Sequence, residues 1–147
     1  MRLVTAVVAS LMLALLVGAA DRSSGALEAK PASAGFTFGR SGGNIAPFSV
    51  VIARNGRVTS HGAVTLANPH RSVSSDALGG MLKLAEAEGF FSLPKTVLCS
   101  RTLPDVASFF VTVSRATGTK AVTVHGGCKA RFNQVYAVLS AVAGITS

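Results

Sequence analysis

Two stretches of alternating apolar residues, each broken by a turn and each followed by a helical repeat, limit what this chain can become. Phe48 to Arg54, FSVVIAR, is rich in strand formers, and Asn55-Gly56 is the preferred dipeptide of a two-residue turn because both residues tolerate positive φ. The chain then returns over Arg57 to His61. With Arg54 set against Arg57, His61 falls across from Val50, and Phe48, Val50 and Ile52 share one face, so His61 is expected to border the core. The second stretch, Ala107 to Arg115, alternates Phe109, Val111 and Val113 against Phe110, Thr112 and Ser114. Ala116 to Thr119 forms its turn and Lys120 to His125 its return, with Val122 and Val124 on the apolar face.

Helical spacing follows each hairpin. After a loop over 63–74 that contains Asn68-Pro69, Ser74 or Ser75 caps a helix with Asp76 in its first turn, where a negative charge complements the helix dipole. Leu78, Met81, Leu82 and Ala85 repeat at i, i+3, i+4 and i+7, and Gly89 ends the run. Gly79-Gly80 inside it cost about 1 kcal/mol each against Ala, which points to close backbone packing or a late helix start. A second helix spans 129–143 with Phe132, Val135, Tyr136, Leu139 and Val142 inward and Gly144 as its stop. A short strand in GFTFGR precedes the Gly-rich loop SGGNIAP, and a long connection, 90–104, leads into the second hairpin. The predicted order is β-β-β-α-β-β-α: an α+β domain over 35–147 in which two helices pack on one face of an antiparallel sheet.

Upstream of that domain, Met1-Arg2 precedes the apolar run Leu3 to Val17 and the small residues Gly18-Ala19-Ala20. This is the order of a secretory signal peptide over 1–20, and the run is shorter than the ~20 residues of a spanning helix. No Cys follows it for lipid attachment. DRSSGALEAKPASA, 21–34, reads as a flexible linker, and its Ala32-Ser33-Ala34 offers a second small-residue cleavage site for a propeptide. Of the 14 Lys+Arg only Arg2 falls in 1–20, so 13 remain against 6 Asp+Glu, a formal net of +7. Export to the cell envelope or medium suits the two cysteines, Cys99 and Cys128, which are expected to pair in an oxidising compartment.

Few residues are arranged for catalysis. His125-Gly-Gly-Cys128 offers two metal ligands where zinc needs three or four, so no metal or other cofactor is expected. Strand alternation sets His125 on the polar face, opposite the valines and away from Cys128, against a thiol–imidazole pair. Glu86 and Glu88 do not share a helix face. Extending the second hairpin's register places Asp105 near residue 130, at the start of the last helix. No Gly-x-Ser-x-Gly elbow is present, GRSGGN lacks the Lys of a phosphate loop, and His70 stands in a polar loop.

The segments APFSVVIARNGRVTSHG, LAEAEGFFSLP, PDVASFFVTV and TVHGGC together resemble a family of small exported bacterial α+β domains of unassigned function, over about residues 35–145. That resemblance implies the same order of elements and no catalytic residues; the Cys-Pro pair that members often carry before the first strand is missing here. Basic residues are scattered rather than interleaved with aromatics, so nucleic acid is not an expected partner. The reading is a secreted, non-enzymatic binding domain with a basic surface, its partner a macromolecule or acidic envelope component, and Arg54, Arg57 and His125 as candidate contacts. The alternative is a small hydrolase using Asp105 with His125 or His61.

Overall fold

A computed structural model describes residues 34–146. Segment 1–20, expected to be a signal peptide, and positions 21–33 of the expected linker lie outside the described residues. Ala34, assigned to the linker from sequence, is buried in the core, so the packed domain already includes it.

Among the described residues eight strands and two helices follow in the order β1 (Gly35–Ser41), β2 (Phe48–Ile52), β3 (Val58–Gly62), β4 (Thr65–Leu66), α1 (Ser75–Ala87), β5 (Thr96–Leu98), β6 (Ser108–Arg115), β7 (Gly118–His125), α2 (Ala130–Ala143) and β8 (Ile145–Thr146). One 3-10 turn, Phe90–Ser92, follows α1. The fold is α+β, as the hydrophobic patterning implies. Six strands form one sheet in the order β3-β2-β1-β6-β7-β5, and β4 pairs with β8 beside it. Strand β1 lies antiparallel to both β2 and β6, which joins the two hairpins into a single sheet.

That sheet is not wholly antiparallel. Strand β5 runs parallel to β7, pairing Thr96 with Thr123, Val97 with Val124 and Leu98 with His125. Its pattern is one buried valine between two exposed residues, too short to stand out within the 90–104 connection. Backbone bonds extend the pairing, from the Thr123 amide to the Lys95 carbonyl (2.8 Å) and from the Cys99 amide to the His125 carbonyl (3.0 Å).

Both hairpin registers differ from those read in sequence. In the first, the Ala53 amide bonds the Arg57 carbonyl (2.9 Å), the Gly56 amide bonds the Ala53 carbonyl (2.8 Å), and Gly56 has φ +84°. Arg54-Asn55-Gly56 is therefore a three-residue loop with Gly56 at the left-handed position, and not a two-residue turn. One extra loop residue slips the ladder by one: Val50 pairs with Ser60, Ile52 with Val58, and His61 with Ser49. Val58 thereby enters the core at 3% exposure, and His61 lies exposed on the opposite face. In the second hairpin the loop is only Ala116-Thr117, so Arg115 pairs with Gly118 and Ser108 with His125.

The core lies between one face of the sheet and the two helices. Phe36, Phe38, Val50, Ile52, Val111, Val113, Val122 and Val124 are buried against Leu78, Met81, Leu82 and Ala85 of α1 and Phe132, Val135, Leu139 and Ala143 of α2. The Ser74 hydroxyl caps α1 by accepting from the Ala77 amide (3.2 Å), and Gly144, at φ +73°, ends α2. Neither reason inferred for Gly79-Gly80 applies: the helix starts ahead of them, and a Cβ at either would meet nothing within 4 Å. On the other sheet face, cross-strand rows read Thr59–Val51–Thr37–Thr112–Ala121, then His61–Ser49–Gly39–Phe110–Thr123–Thr96, then Ser41–Ser108–His125–Leu98. Among the described residues no helix covers these rows.

Candidate functional site

The outer edge of β3 does not end the sheet abruptly. Asn68 Oδ1 accepts from the His70 amide (3.0 Å) and the Asn68 carbonyl from the Arg71 amide (3.1 Å), so Asn68-Pro69 turns the chain back along β3. Residues 71–73 then lie beside the strand: Val58 N–H bonds the Arg71 carbonyl (3.3 Å), Arg57 bridges Ser72, and Val73 N–H bonds the Gly56 carbonyl (2.8 Å). A Cβ on Gly56 would sit 1.9 Å from the Val73 carbonyl oxygen, so this close approach requires glycine.

Between this segment and β3 lies a groove of about 480 Å³ whose lining includes Arg57, Arg71, His61, His70 and the hydroxyl-bearing Thr59 and Ser60. Among the described residues no acidic side chain lines it. Among the described residues the one ion pair joins Arg115 to Glu86 (3.7 Å), so neither groove guanidinium is neutralised by a carboxylate. A guanidinium carries donors in a planar fork that matches phosphate or carboxylate oxygens, and two arginines are among the lining residues; the Arg71 side chain runs beside Gly144 at the end of α2.

A second constellation stands at the end of β7, where Cys99 and Cys128 form the disulfide anticipated from their number, with Cα atoms 5.6 Å apart. Gly126, at φ +96°, bends the chain out of β7 toward that bond. A Cβ there would fall 2.3 Å from Thr102 Oγ1 and 2.8 Å from Cys99 Cβ, so the position admits no larger residue without displacement. His125 turns away from the cysteines onto the uncovered face, as strand alternation indicates. Its Nδ1 lies 3.1 Å from Ser108 Oγ and its Nε2 3.2 Å from the Leu103 carbonyl oxygen. A carbonyl only accepts, so Nε2 carries a proton, and in the neutral imidazole Nδ1 accepts from the Ser108 hydroxyl.

The other sequence candidates do not join this pair. Asp105 accepts from the Asn44 side chain (2.7 Å) and, through its carbonyl, from the Asn44 amide (2.9 Å), fastening the β1–β2 loop. It makes no bond with α2, whose first turn contains no acid, because the shorter second turn moves its register two residues back from position 130. His61 is on β3 and His125 on β7, four strand spacings or roughly 19 Å apart. Arg54 donates to the Arg115 carbonyl (3.0 Å), tying the two hairpin ends together, while Arg57 alone of the sequence-named cations lines the groove.

Sequence reasoning missed Arg71, the convergence of His70 with His61, and Ser108. The first two depend on the turn at Asn68-Pro69, and Ser108 depends on the true length of the second turn. Tyr136 also differs from a simple core residue. Its ring packs edge-on to Phe38 (5.6 Å) and Phe109 (5.3 Å), and it lines a pocket of about 350 Å³ with Phe132, Val106 and Asn133. Its buried hydroxyl lacks a hydrogen-bond partner, and burial pushes its pKa up to about 12, partly opposed by the charge of Arg40. Among the described residues no three His, Cys, Asp or Glu gather as a metal site, and no helix is long and apolar enough to cross a membrane. Compared with protein-family models, curated proteins and solved structures, the chain matches none.

Proposed function

We infer that this is an exported binding domain that takes an acidic polymer of the cell envelope into the groove beside β3. The observation that carries the reading is that Arg57, Arg71, His61 and His70 line one groove to which no carboxylate among the described residues contributes. A formal net of +8 for the whole chain adds a long-range attraction toward polyanions. The signal-peptide pattern of residues 1–20 supports export, and a structural disulfide is at home in an oxidising compartment. The resemblance to small exported bacterial domains fits the same setting. The hydrolase alternative, with Asp105 as acid or base beside His125 or His61, has less support: the Asp105 carboxylate bonds Asn44, and the His125 ring meets Ser108 and the Leu103 carbonyl instead.

The test uses two soluble probes, inorganic polyphosphate and polygalacturonate, with binding measured by calorimetry at low and raised salt. Replacing both Arg57 and Arg71 by Ala removes the two forks and is expected to weaken binding by about tenfold per guanidinium. Replacing Lys83 and Lys95, which do not line the groove, removes the same charge and is expected to act only through general attraction. Equal losses for the two double variants would mean that net charge alone attracts the polymer and that the groove is not its site.

A further inference from the structure

We propose that Ser108 and His125 form an acyl-accepting pair on the uncovered sheet face, able to take an acyl group from a small ester. The proposal rests on their geometry and is independent of the groove beside β3. Three elements of nucleophilic catalysis are present: a hydroxyl, an imidazole nitrogen within 3.1 Å to receive its proton, and a carbonyl at 3.2 Å that holds the imidazole in the tautomer with Nδ1 free to act as base. The pair is set by backbone register, since Ser108 and His125 are direct partners across β6 and β7.

The surroundings suit an apolar acyl chain. Leu98, in register with His125 on β5, is 76% exposed, and Leu103, whose carbonyl bonds the imidazole, is 65% exposed. Phe110 lies two residues along β6 on the same face as Ser108.

In the acylation step Ser108 Oγ bonds the ester carbonyl carbon and its proton passes to His125 Nδ1. The carbon–oxygen bond to the alcohol then breaks, and that alkoxide leaves with the proton from Nδ1. Water reverses the sequence: its oxygen bonds the acyl carbon, its proton goes to Nδ1 and from there to Ser108 Oγ, and the carboxylic acid departs. Among the described residues the imidazole's second nitrogen meets the Leu103 carbonyl and not a carboxylate that would stabilise its charged form, so turnover is expected to be slow and acylation to be read best as a stoichiometric event.

The experiment exposes the folded, oxidised protein to an alkyl fluorophosphonate, which loses fluoride as a serine oxygen bonds its phosphorus. Intact mass and peptide mapping locate the adduct. In parallel, p-nitrophenyl butyrate is tested for a burst of one nitrophenolate per chain. The expected result is a single adduct on Ser108, absent from Ser108→Ala, slowed roughly a hundredfold in His125→Gln, and lost on unfolding and reduction. Circular dichroism and melting of both variants separate chemistry from folding. A pair that merely pins two strands would lower stability in both variants while the native protein took no label; that result, or an adduct elsewhere, overturns the proposal.

Discussion

Removing the Cys99–Cys128 bond tests how the second half of the molecule is held. Both cysteines are replaced by Ala, because Cys99 is 9% exposed and a serine hydroxyl there would be buried without an assured partner. The bond spans 29 residues, and in the chain-entropy model opening a loop of that length lowers stability by about 3.6 kcal/mol. For a domain of roughly 110 residues, whose unfolding entropy is ~0.23 kcal/mol/K, that corresponds to a fall of about 15 °C in Tm. Circular dichroism during heating and in urea measures both, with the parent protein and the variant in the same buffer. The urea slope is expected to rise as well, because the unfolded chain without its crosslink exposes more surface. Hydrogen exchange adds the local readout. Strand β5 is a three-residue edge strand, so its amides and that of Cys99 are expected to lose protection before those of β1 and β6. A loss below about 1 kcal/mol with β5 still protected would refute the reasoning, since it would mean that β5–β7 pairing and buried Val97 hold the connection unaided.

Two further outcomes follow from particular side chains. Gly79→Ala and Gly80→Ala each place a Cβ in open space within α1, so each is expected to raise stability by about 1 kcal/mol in urea unfolding; destabilisation by either would show an unrecognised need for glycine there. Tyr136 is the one tyrosine of a chain without tryptophan, so phenolate absorbance near 295 nm reports it alone. Its pKa of about 12 in the folded protein lies above the value of 10.0 for an unperturbed tyrosine, so folding favours the protonated form. This contribution is fully present below about pH 10 and is lost as pH rises toward 12. A folded-state midpoint near 10 would contradict that burial effect, and Tyr136→Phe, which removes a hydroxyl without a partner, is expected to abolish that part of the alkaline slope.

The helices and the core strands were legible because their signals are local and repeated. Leu78, Met81, Leu82 and Ala85 recur at helical spacing, and Phe109, Val111 and Val113 at strand spacing, so several residues point to each assignment. Strand β5 offered only Val97 between Thr96 and Leu98, and its burial depends on β7, which is distant in sequence. The cationic groove was legible only in part for the same reason. Arg57 stood beside a recognisable turn, but Arg71 and His70 reach it through the Asn68-Pro69 turn and the Val58–Arg71 and Val73–Gly56 backbone bonds.

The two hairpins show why such errors have unequal consequences. In the first, Asn55-Gly56 adopts the left-handed residue of a three-residue loop instead of a two-residue turn, and the slip of one residue exchanges the faces of β3. His61 moves from the expected border of the core to the uncovered face, and Val58 takes an inward place. In the second, the loop is two residues shorter than the turn read from sequence, and a slip of two leaves every side chain on its expected face. His125 therefore stays on the polar side with Thr123, but its partner across the ladder becomes Ser108. Face is a property of parity and survives an even error. Partnership depends on the full register, and for that reason the polar environment of His125 could be read in the sequence while the Ser108–His125 pair could not.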